Sequence, residues 1–247
     1  MTFKDHFSTK SSDYAAYRPT YPHALVDYLA GLCRQTEVVL DVGCGTGQLS
    51  VLLAERFSRV IATDASAQQI GKAEAHERVE YRVAPAEHSG LPARSADLIT
   101  VAQAAHWFDL NAFYEEARRV GKPGAVLALV TYGVIQADPE INPVIQHFYE
   151  NVVGAYWPPE RRHVEEGYRS FAFPFEEWDA PPLAIEVQWR ASDLIGYVDT
   201  WSAVRGLEKA QGREPLEQFQ RELLTQWGEA QRRRTVRFPL SLRVGRM

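Results

Sequence analysis

The chain has 247 residues, of which 45% are hydrophobic and 24% are charged, and its formal net charge at pH 7 is −5. These values are ordinary for a globular protein and leave room for one well-filled α/β domain without a second. The negative net charge argues against a large phosphate-binding surface, because nucleic-acid-binding proteins usually carry a basic face. We therefore predict no nucleic-acid partner.

The cysteine content and the apolar stretches bear on metal binding and location. Two cysteines, Cys33 and Cys44, are too few and too poorly spaced for a zinc site or a disulfide framework. We therefore predict no metal and a reducing compartment. The first seven residues are polar, and no stretch approaches the length of a membrane span. The sequence predicts a cytoplasmic protein without a membrane partner, as a monomer or a homodimer.

Residues 38–47 are the first informative stretch in chain order. Val38–Val42 is an almost continuous apolar run, which is typical of a parallel strand buried on both faces. Glycine then occupies alternate positions of Gly43–Gly47, which lets the backbone approach a ligand in conformations that a side chain would forbid. A helix is predicted over Gln48–Arg56, so the turn ends at a helix N-terminus. These features predict a nucleotide-type binding turn.

The spacing of the glycines and the next acidic residue indicate which nucleotide binds. A dinucleotide turn of the G-x-G-x-x-G type would need a third glycine where Gln48 stands. The next strand, Val60–Thr63, ends in Asp64, and an acid at this position can accept hydrogen bonds from both hydroxyls of a ribose. The alternative is that Asp64–Ser66 is solvated and caps the following helix.

Strand and helix patterns continue to alternate as far as Tyr132. Further strands are predicted over Val79–Val83, Asp97–Ala102 and Ala125–Val130, and this alternation is typical of a doubly wound parallel sheet. Next comes a predicted helix around Pro143–Val153 and a segment rich in proline and aromatic residues. We expect its rings to cover the mouth of the cleft as a lid, or else to form an ordinary satellite core. These residues are Trp157, Phe171, Phe173, Phe175 and Trp178.

The remainder of the chain contains two more strands around a helical region. Leu183–Arg190 alternates apolar and polar residues, as half-exposed strands do. Helical residues follow over 192–234, with breaks predicted near Gly206 and at 212–215. We place Arg232–Arg234 in the last helical turn, where cations meet the negative end of the helix dipole. The last strand, Thr235–Val244, contains Pro239, which predicts an edge or a bulge.

Together these motifs resemble those of the class I methyltransferases that depend on S-adenosyl-L-methionine (SAM). The matching segments are Leu40–Gly47, the acid Asp64, Ala84–Glu87, Ala96–Thr100 and Arg118–Gly124. Two further segments, Tyr14–Pro22 and Gln103–Phe108, are similar to the small-molecule branch that includes trans-aconitate methyltransferase and its fungal relatives.

The resemblance implies one methyltransferase domain over residues 1–247. The expected fold is a Rossmann-like α/β fold, with a seven-stranded, mostly parallel sheet, helices on both faces and a helical, aromatic insertion covering the cleft. The SAM-binding core spans about residues 36–132, the acceptor-side insertion about 133–182, and the C-terminal strands and helices about 183–247. The cofactor is SAM, and its product is S-adenosyl-L-homocysteine.

The resemblance also implies a set of cofactor-binding residues. Asp41 is placed at the methionine end of SAM, with a loop anchor as the alternative. Arg18 is a candidate partner for the SAM carboxylate, and Tyr14 can contact the sulfonium through its ring, unless both only pack on the sheet. The complete set is Tyr14, Arg18, Asp41, Gly43, Gly45, Gly47, Asp64, Ala65, Ala86, Glu87 and Gln103.

The candidate acceptor site follows the fourth strand, at the edge where open α/β sheets bind ligands. Its predicted substrate-binding residues are His106, Trp107 and Trp157. His106 is also the catalytic candidate, since its unperturbed pKa near neutrality suits a base or an orienting group; the alternative is a buried ring. Five basic residues are candidate partners of an acidic acceptor, and the alternative is that they lie on the solvated surface. They are Arg161, Arg162, His163, Arg169 and Arg205.

The sequence therefore predicts a SAM-dependent methyltransferase that acts on a small-molecule acceptor, with a carboxylic acid as the expected substrate. Transfer would be an in-line displacement in which the protein mainly aligns the reactants. One alternative is a nicotinamide-dependent oxidoreductase, against which Gln48 counts. The other is a SAM-binding protein without catalytic activity.

Overall fold

The computed structural model describes residues 19–247. Within them, eight strands form one sheet. The strands are β1 (Val38–Val42), β2 (Arg59–Asp64), β3 (Val79–Val83), β4 (Ala96–Ala102), β5 (Gly121–Tyr132), β6 (Glu176–Trp178), β7 (Ala184–Trp189) and β8 (Arg234–Arg246). Their order is β3-β2-β1-β4-β5-β8-β6, and β7 pairs with β8 outside this path.

Helices connect the strands of this sheet. They are α1 (His23–Leu32), α2 (Gln48–Leu53), α3 (Ala67–Ile70), α4 (Leu110–Val120), α5 (Asn142–His147), α6 (Arg161–Glu165), α7 (Ala191–Asp199), α8 (Ser202–Gln211) and α9 (Glu214–Trp227). A π-helical turn, Phe148–Val152, continues α5, and Ala105–Trp107 and Gly154–Tyr156 are 3₁₀ turns. In the described part of the chain, no helix is long and apolar enough to cross a bilayer.

The five strands β1–β5 are parallel. β1, β2, β4 and β5 are mostly buried on both faces, whereas the edge strand β3 is only partly buried. Val39 and Leu40, neighbours in β1, belong to two different hydrophobic cores because successive side chains point to opposite faces of a strand. One core contains residues of α1, α2 and the C-terminal helices, and the other contains residues of α4. The predicted Rossmann-like, mostly parallel sheet is confirmed, with β7 as an eighth strand beside the seven-stranded path.

Strand β8 is antiparallel to its neighbours and changes partner along its length. Its first part pairs with β7 as far as Pro239, and from Leu240 onward it pairs with β5. Proline has no N–H to donate, so it is tolerated where a ladder changes partner. This position accounts for the irregularity that Pro239 predicts. The short strand β6, which the sequence pattern did not predict, pairs with the end of β8.

One of the two breaks predicted in the helical region near the C-terminus is confirmed, because α8 ends at Gln211 and α9 begins at Glu214, but the other lies at a different place. Gly206 lies inside α8, and the break falls at Thr200 and Trp201, between α7 and α8. A Cβ on Gly206 would lie 3.1 Å from the Cβ of Tyr156. The glycine therefore allows close packing of α8 against the Gly154–Tyr156 turn, and the prediction of a break there is wrong.

The basic run Arg232–Arg234 also differs from its predicted position. Helix α9 ends at Trp227, and Arg234 is the first residue of β8, so the run does not lie in a helical turn. The buried guanidinium of Arg234 instead pairs with Asp138 at 2.5 Å and Glu140 at 3.1 Å. Charge-assisted hydrogen bonds to these two carboxylates stabilise the guanidinium more than the negative end of a helix dipole would.

Candidate functional site

The carboxyl ends of β1, β2 and β4 meet at one edge of the sheet, because neighbouring parallel strands end on the same side. The glycine turn follows β1, Asp64 ends β2, and Gln103 follows β4. This is the edge at which open α/β sheets bind ligands. The predicted site residues on these strands are therefore brought together by the fold.

The three glycines of the turn have φ angles of +69° at Gly43, +58° at Gly45 and +86° at Gly47, where only glycine is unstrained. A Cβ on Gly43 would lie 2.5 Å from the Cβ of Ala104, and one on Gly47 would lie 2.1 Å from the Tyr81 hydroxyl oxygen. A Cβ on Gly45 would meet nothing within 4 Å. Packing requires the outer two glycines, whereas the central one borders open space that a ligand can fill.

Asp64 connects the glycine turn to the start of α3. Its Oδ2 accepts a hydrogen bond from the Gly45 N–H at 2.9 Å, and its Oδ1 accepts one from the Ser66 N–H at 2.8 Å. Ser66, not Asp64, caps α3 with its side chain. Because each carboxylate oxygen has a second lone pair, Asp64 can still accept hydrogen bonds from a ligand beside Gly45. The exposed Ala65 follows it.

Asp41 lies deeper, below the turn. Its side chain is 1% exposed, and its two oxygens accept hydrogen bonds from the hydroxyls of Ser50, at 2.6 Å, and Thr100, at 2.8 Å. Burial raises the pKa of Asp41 to about 6, although both hydrogen bonds oppose the rise. These contacts tie β1 to α2 and β4. A contact between Asp41 and a cofactor stays a prediction.

The remaining predicted cofactor residues lie on either side of the turn. Ala86 is buried, and Glu87 Oε1 accepts a hydrogen bond at 3.0 Å from the N–H of Asp109, the residue that caps α4. Tyr14 and Arg18 lie outside the described residues. Their predicted contacts with the cofactor therefore remain predictions.

Gln103 has a left-handed backbone, with φ of +57°, directly after β4. Its Oε1 accepts a hydrogen bond from the Thr131 hydroxyl at 2.9 Å, and its Nε2 donates one to the Tyr132 carbonyl at 3.2 Å. A φ in this region strains a residue other than glycine, and such strain is found most often at functional sites. The side chain thus joins the ends of β4 and β5.

His106 lies in the 3₁₀ turn that follows Gln103. Its Nδ1 is 2.9 Å from the hydroxyl oxygen of Tyr168, and its ring centroid is 4.7 Å from that of Trp107. Burial, together with the nearby basic groups of Arg161 and His163, lowers the pKa of His106 to about 3. The imidazole is therefore neutral at physiological pH and a weak base. Of the two roles predicted for it, orientation of an acceptor suits it better.

Trp157 lies in an aromatic cluster beside Arg161. Its ring centroid is 4.9 Å from that of Tyr149 and 5.5 Å from that of Trp201. The Arg161 guanidinium lies 4.9 Å from the Trp157 ring centroid, and its Nε donates a hydrogen bond to the Tyr149 hydroxyl at 2.8 Å. The tyrosine hydroxyl also contacts the carboxylate of Glu165. This cluster holds Arg161 near His106, whose pKa its charge lowers.

The other basic candidates are placed differently. The side chain of Arg162 is 79% exposed and pairs with Glu166, and His163 Nδ1 is 3.0 Å from the Ser170 hydroxyl. Arg169 is exposed, and Arg205 lies on α8. Arg161 is therefore the candidate whose environment best suits an acidic ligand at this edge.

The predicted aromatic lid is divided between two places. Phe171 stacks on Tyr168 with ring centroids 5.1 Å apart, close to His106. Phe173 and Phe175 instead pack against Tyr114 of α4, and Trp178 belongs to β6. Strand β6 pairs with the end of β8, which pairs in turn with the amino-terminal half of β5. The lid prediction is wrong for these three rings, because they pack away from the edge that carries the site.

Some residues of the site carried no signal in the sequence. Tyr168 follows Gly167 in a segment without helical or strand periodicity, and Tyr149 lies in a predicted helix like any core aromatic residue. Thr131 is a single hydroxyl near the end of an apolar strand. Each acquires its role from partners distant in sequence, which local patterns do not identify.

Comparisons with known proteins agree with this geometry. Residues 40–129 match the family described as methyltransferase domain. A Dictyostelium discoideum protein with a provisional methyltransferase name is 35% identical over 226 residues, which cover 90% of this chain and 86% of that protein. A solved structure from Anaeromyxobacter dehalogenans, provisionally named a type II methyltransferase, is 47% identical. It has a TM-score of 0.90, with coverage of 93% of this chain and 97% of that one.

A more distant relative is a methyltransferase-like protein of Schizosaccharomyces pombe, 32% identical over 128 residues and half of each chain. The class that the fold and the site define is thus that of Rossmann-like methyltransferases. The chain belongs to the class I SAM-dependent methyltransferases and is an enzyme. Membership in this family favours methyl transfer over the nicotinamide-dependent alternative.

Proposed function

We propose that the protein binds SAM between the glycine turn and Asp64 and transfers its methyl group to a small carboxylic acid. The open space beside Gly45, next to a carboxylate with free lone pairs, is the observation that carries the cofactor proposal. Asp64 would hold the ribose hydroxyls, and the glycine backbone would lie against the cofactor. When bound, SAM supplies an electrophilic methyl group.

Other residues complete this assignment. Ala86 and Glu87 would lie on the adenine side, and Asp41 would support the methionine end from below the turn. Gln103, anchored to Thr131 and Tyr132, would border the cofactor where β4 ends. These assignments follow the family resemblance.

Arg161 supports an acidic acceptor. Within residues 19–247, neither Nη group of Arg161 has a hydrogen-bond partner, and its nearest carboxylate, that of Glu165, is 3.9 Å from Nε. The buried indole N–H of Trp157, beneath the guanidinium, also lacks a partner in the described residues. A carboxylate is the ligand that a planar guanidinium with unpaired N–H groups binds best. The resemblance to the trans-aconitate methyltransferase branch supports the same class of acceptor.

A carboxylic acid also suits the neutral imidazole of His106. Such an acceptor is already ionised at neutral pH, so no residue has to remove a proton from it. His106, with a pKa of about 3, would be a poor base but can take part in a hydrogen bond that orients the acceptor. The protein's contribution is then to position the acceptor oxygen and to exclude water.

Binding of S-adenosyl-L-homocysteine tests the cofactor site. Asp64→Ala should weaken calorimetric binding at least tenfold, about 1.4 kcal/mol, because the contacts to ribose are lost. Ser66→Ala, in the same loop, should bind within about twofold of the wild type. Asp64→Asn, which keeps one acceptor oxygen, should fall between them. Failure of the wild-type protein to bind, while NAD binds, would contradict the proposal.

Transfer of radiolabelled methyl groups from SAM tests the acceptor. In a panel of small mono-, di- and tricarboxylic acids, amines and alcohols, we expect methyl esters from one or more acids. Arg161→Gln should lower kcat/KM for that acid at least tenfold, because its carboxylate loses a charged partner. Arg162→Gln is the matched control and should change it less than about twofold. Transfer to amines with every acid inert would contradict an acidic substrate.

We also propose that the protein acts in the cytoplasm on free small molecules. Cys33 and Cys44 are both free thiols, which is typical of a reducing compartment. The formal charge of −5 disfavours nucleic acid and anionic membranes as partners. Fractionation of the native host, followed by detection of the protein with an antibody, tests the location.

A further inference from the structure

The hydroxyl of Tyr168 is buried and lies within hydrogen-bond distance of His106 in the candidate site. Its side chain is fully buried, and its Oη lies 2.9 Å from Nδ1 of His106. The two ring centroids are 5.9 Å apart, and the ring planes are tilted by 32°. Neither the family resemblance nor the sequence pattern assigns a role to this tyrosine.

The backbone holds Tyr168 in a conformation that tyrosine does not favour. Gly167 and Tyr168 have φ angles of +61° and +62°, and a left-handed conformation strains a bulky residue. The Tyr168 N–H donates to the His163 carbonyl at 2.8 Å, and its carbonyl accepts from Arg243 Nη1 at 3.0 Å. The fold therefore keeps the hydroxyl in this place at a local cost, as is common at functional sites.

The groups around the hydroxyl indicate the direction of the hydrogen bond to His106. Burial raises the pKa of the Tyr168 hydroxyl, so the oxygen keeps its proton at neutral pH and has that proton to donate. The Thr131 hydroxyl donates its proton to Gln103 Oε1 at 2.9 Å. Nδ1 of His106, 2.9 Å from the Tyr168 oxygen, is in position to accept the Tyr168 proton. If Nδ1 carried a proton instead, the buried Tyr168 O–H would lose this acceptor, which is costly for a buried donor.

We propose that Tyr168 is a positioning residue that donates its proton to Nδ1 of His106 and so fixes the neutral imidazole as its Nε2–H tautomer. The proposal rests on the proposed function and assigns His106 a specific role in the methyl transfer. His106 serves the acceptor as a hydrogen-bond donor and removes no proton from it. The enzyme then selects acceptors whose methylated atom has no proton to lose, as an ionised carboxylate oxygen does.

Nuclear magnetic resonance tests this assignment without a substrate. The full chain, labelled with ¹⁵N-histidine, is examined by multiple-bond ¹H–¹⁵N correlation at pH 7, and His106→Gln identifies the His106 signals among those of seven histidines. We expect an unprotonated Nδ1 and a protonated Nε2 in the wild type. Tyr168→Phe should shift both nitrogens toward the averaged values of a tautomer mixture.

Tyr114→Phe is the matched control. Tyr114 is also buried, and its hydroxyl donates to the Ala172 carbonyl at 2.8 Å without touching His106, so this variant should leave the His106 pattern unchanged. A protonated Nδ1 in the wild type, or an unchanged pattern in a folded Tyr168→Phe protein, would overturn the proposal. If Tyr168→Phe does not fold, the wild-type spectrum alone still shows which ring nitrogen of His106 carries the proton. Calorimetry with S-adenosylhomocysteine tests the proposed function separately. If the wild type does not bind this ligand, the proposed function is contradicted, but the assignment of the His106 tautomer is not affected.

Discussion

At the scale of single residues, Asp41 has the least exposed charged side chain in the described part of the chain. It lies at the base of the glycine turn, where its carboxylate accepts hydrogen bonds from two hydroxyl groups. No positively charged side chain among the described residues pairs with it. Its pKa of about 6 means that folding takes up a proton at mildly acidic pH. A residue that supports the binding turn therefore also links stability to pH.

The sign of this linkage follows from the two pKa values. The pKa of an unfolded aspartate is about 3.9 and that of folded Asp41 is about 6, so the folded state binds more protons between these values. The contribution of Asp41 to the free energy of unfolding is greatest below pH 4 and is lost as the pH rises through 6. Relative to Asp41→Asn, the wild type should lose on the order of 2–3 kcal/mol between pH 4 and pH 7.

Urea denaturation of both proteins at several pH values measures this difference. Ser50→Ala provides a complementary control, because removal of a hydrogen bond to the charged form should raise the pKa of Asp41 further and extend the pH-dependent range upward. Parallel stability profiles for the wild type and Asp41→Asn across this range would show that the buried carboxylate does not control the effect.

Residue patterns in the sequence predicted a glycine turn at the end of β1 and an acid, Asp64, at the end of β2, since the positions of strand ends follow from strand and helix periodicity. They gave no reason to choose Arg161 over Arg162, its neighbour in the sequence. The choice depends on Tyr149 and Trp157, which hold one guanidinium near His106, while the other is exposed.

At the scale of elements, one arginine of β8 holds the segment that carries Tyr168. Arg243 Nη1 donates to the carbonyls of Tyr168, at 3.0 Å, and Phe171, at 2.6 Å, and the same guanidinium pairs with Glu177 at 2.6 Å. It also lies over the Phe173 ring, 4.8 Å from the centroid. A strand of the sheet thereby fixes a long irregular connection.

Arg243→Ala should therefore destabilise this connection more than the rest of the protein. We expect a loss of about 2–4 kcal/mol in the free energy of unfolding, since two carbonyls and a carboxylate lose a charged donor. Hydrogen exchange should accelerate mainly in residues 168–178. Arg237→Ala is the control on the same strand, and its exposed pair with Glu186 should contribute less than about 1 kcal/mol. Equal losses in both variants would contradict the assigned role of Arg243.

At the scale of the whole molecule, the sheet separates two hydrophobic cores and joins distant parts of the chain. Strand β8, at the C-terminal end, lies between β5 and β6 and also pairs with β7. The glycine turn and the segment with Arg161 and Tyr168 are therefore attached to one continuous scaffold. The carboxyl ends of its parallel strands carry the cofactor half of the candidate site.

The sequence alone determined where the five parallel strands lie in the chain, where the glycine turn and Asp64 follow them, and that the protein is a methyltransferase. These features depend on local periodicity and on residues close together in the chain. The sequence did not determine β6, the packing of Phe173 and Phe175, or the neighbours of His106. Only the tertiary structure decided those, because they depend on contacts among segments separated by tens of residues. The physical reason is that burial and charge at a site such as His106 arise from groups that the fold brings together.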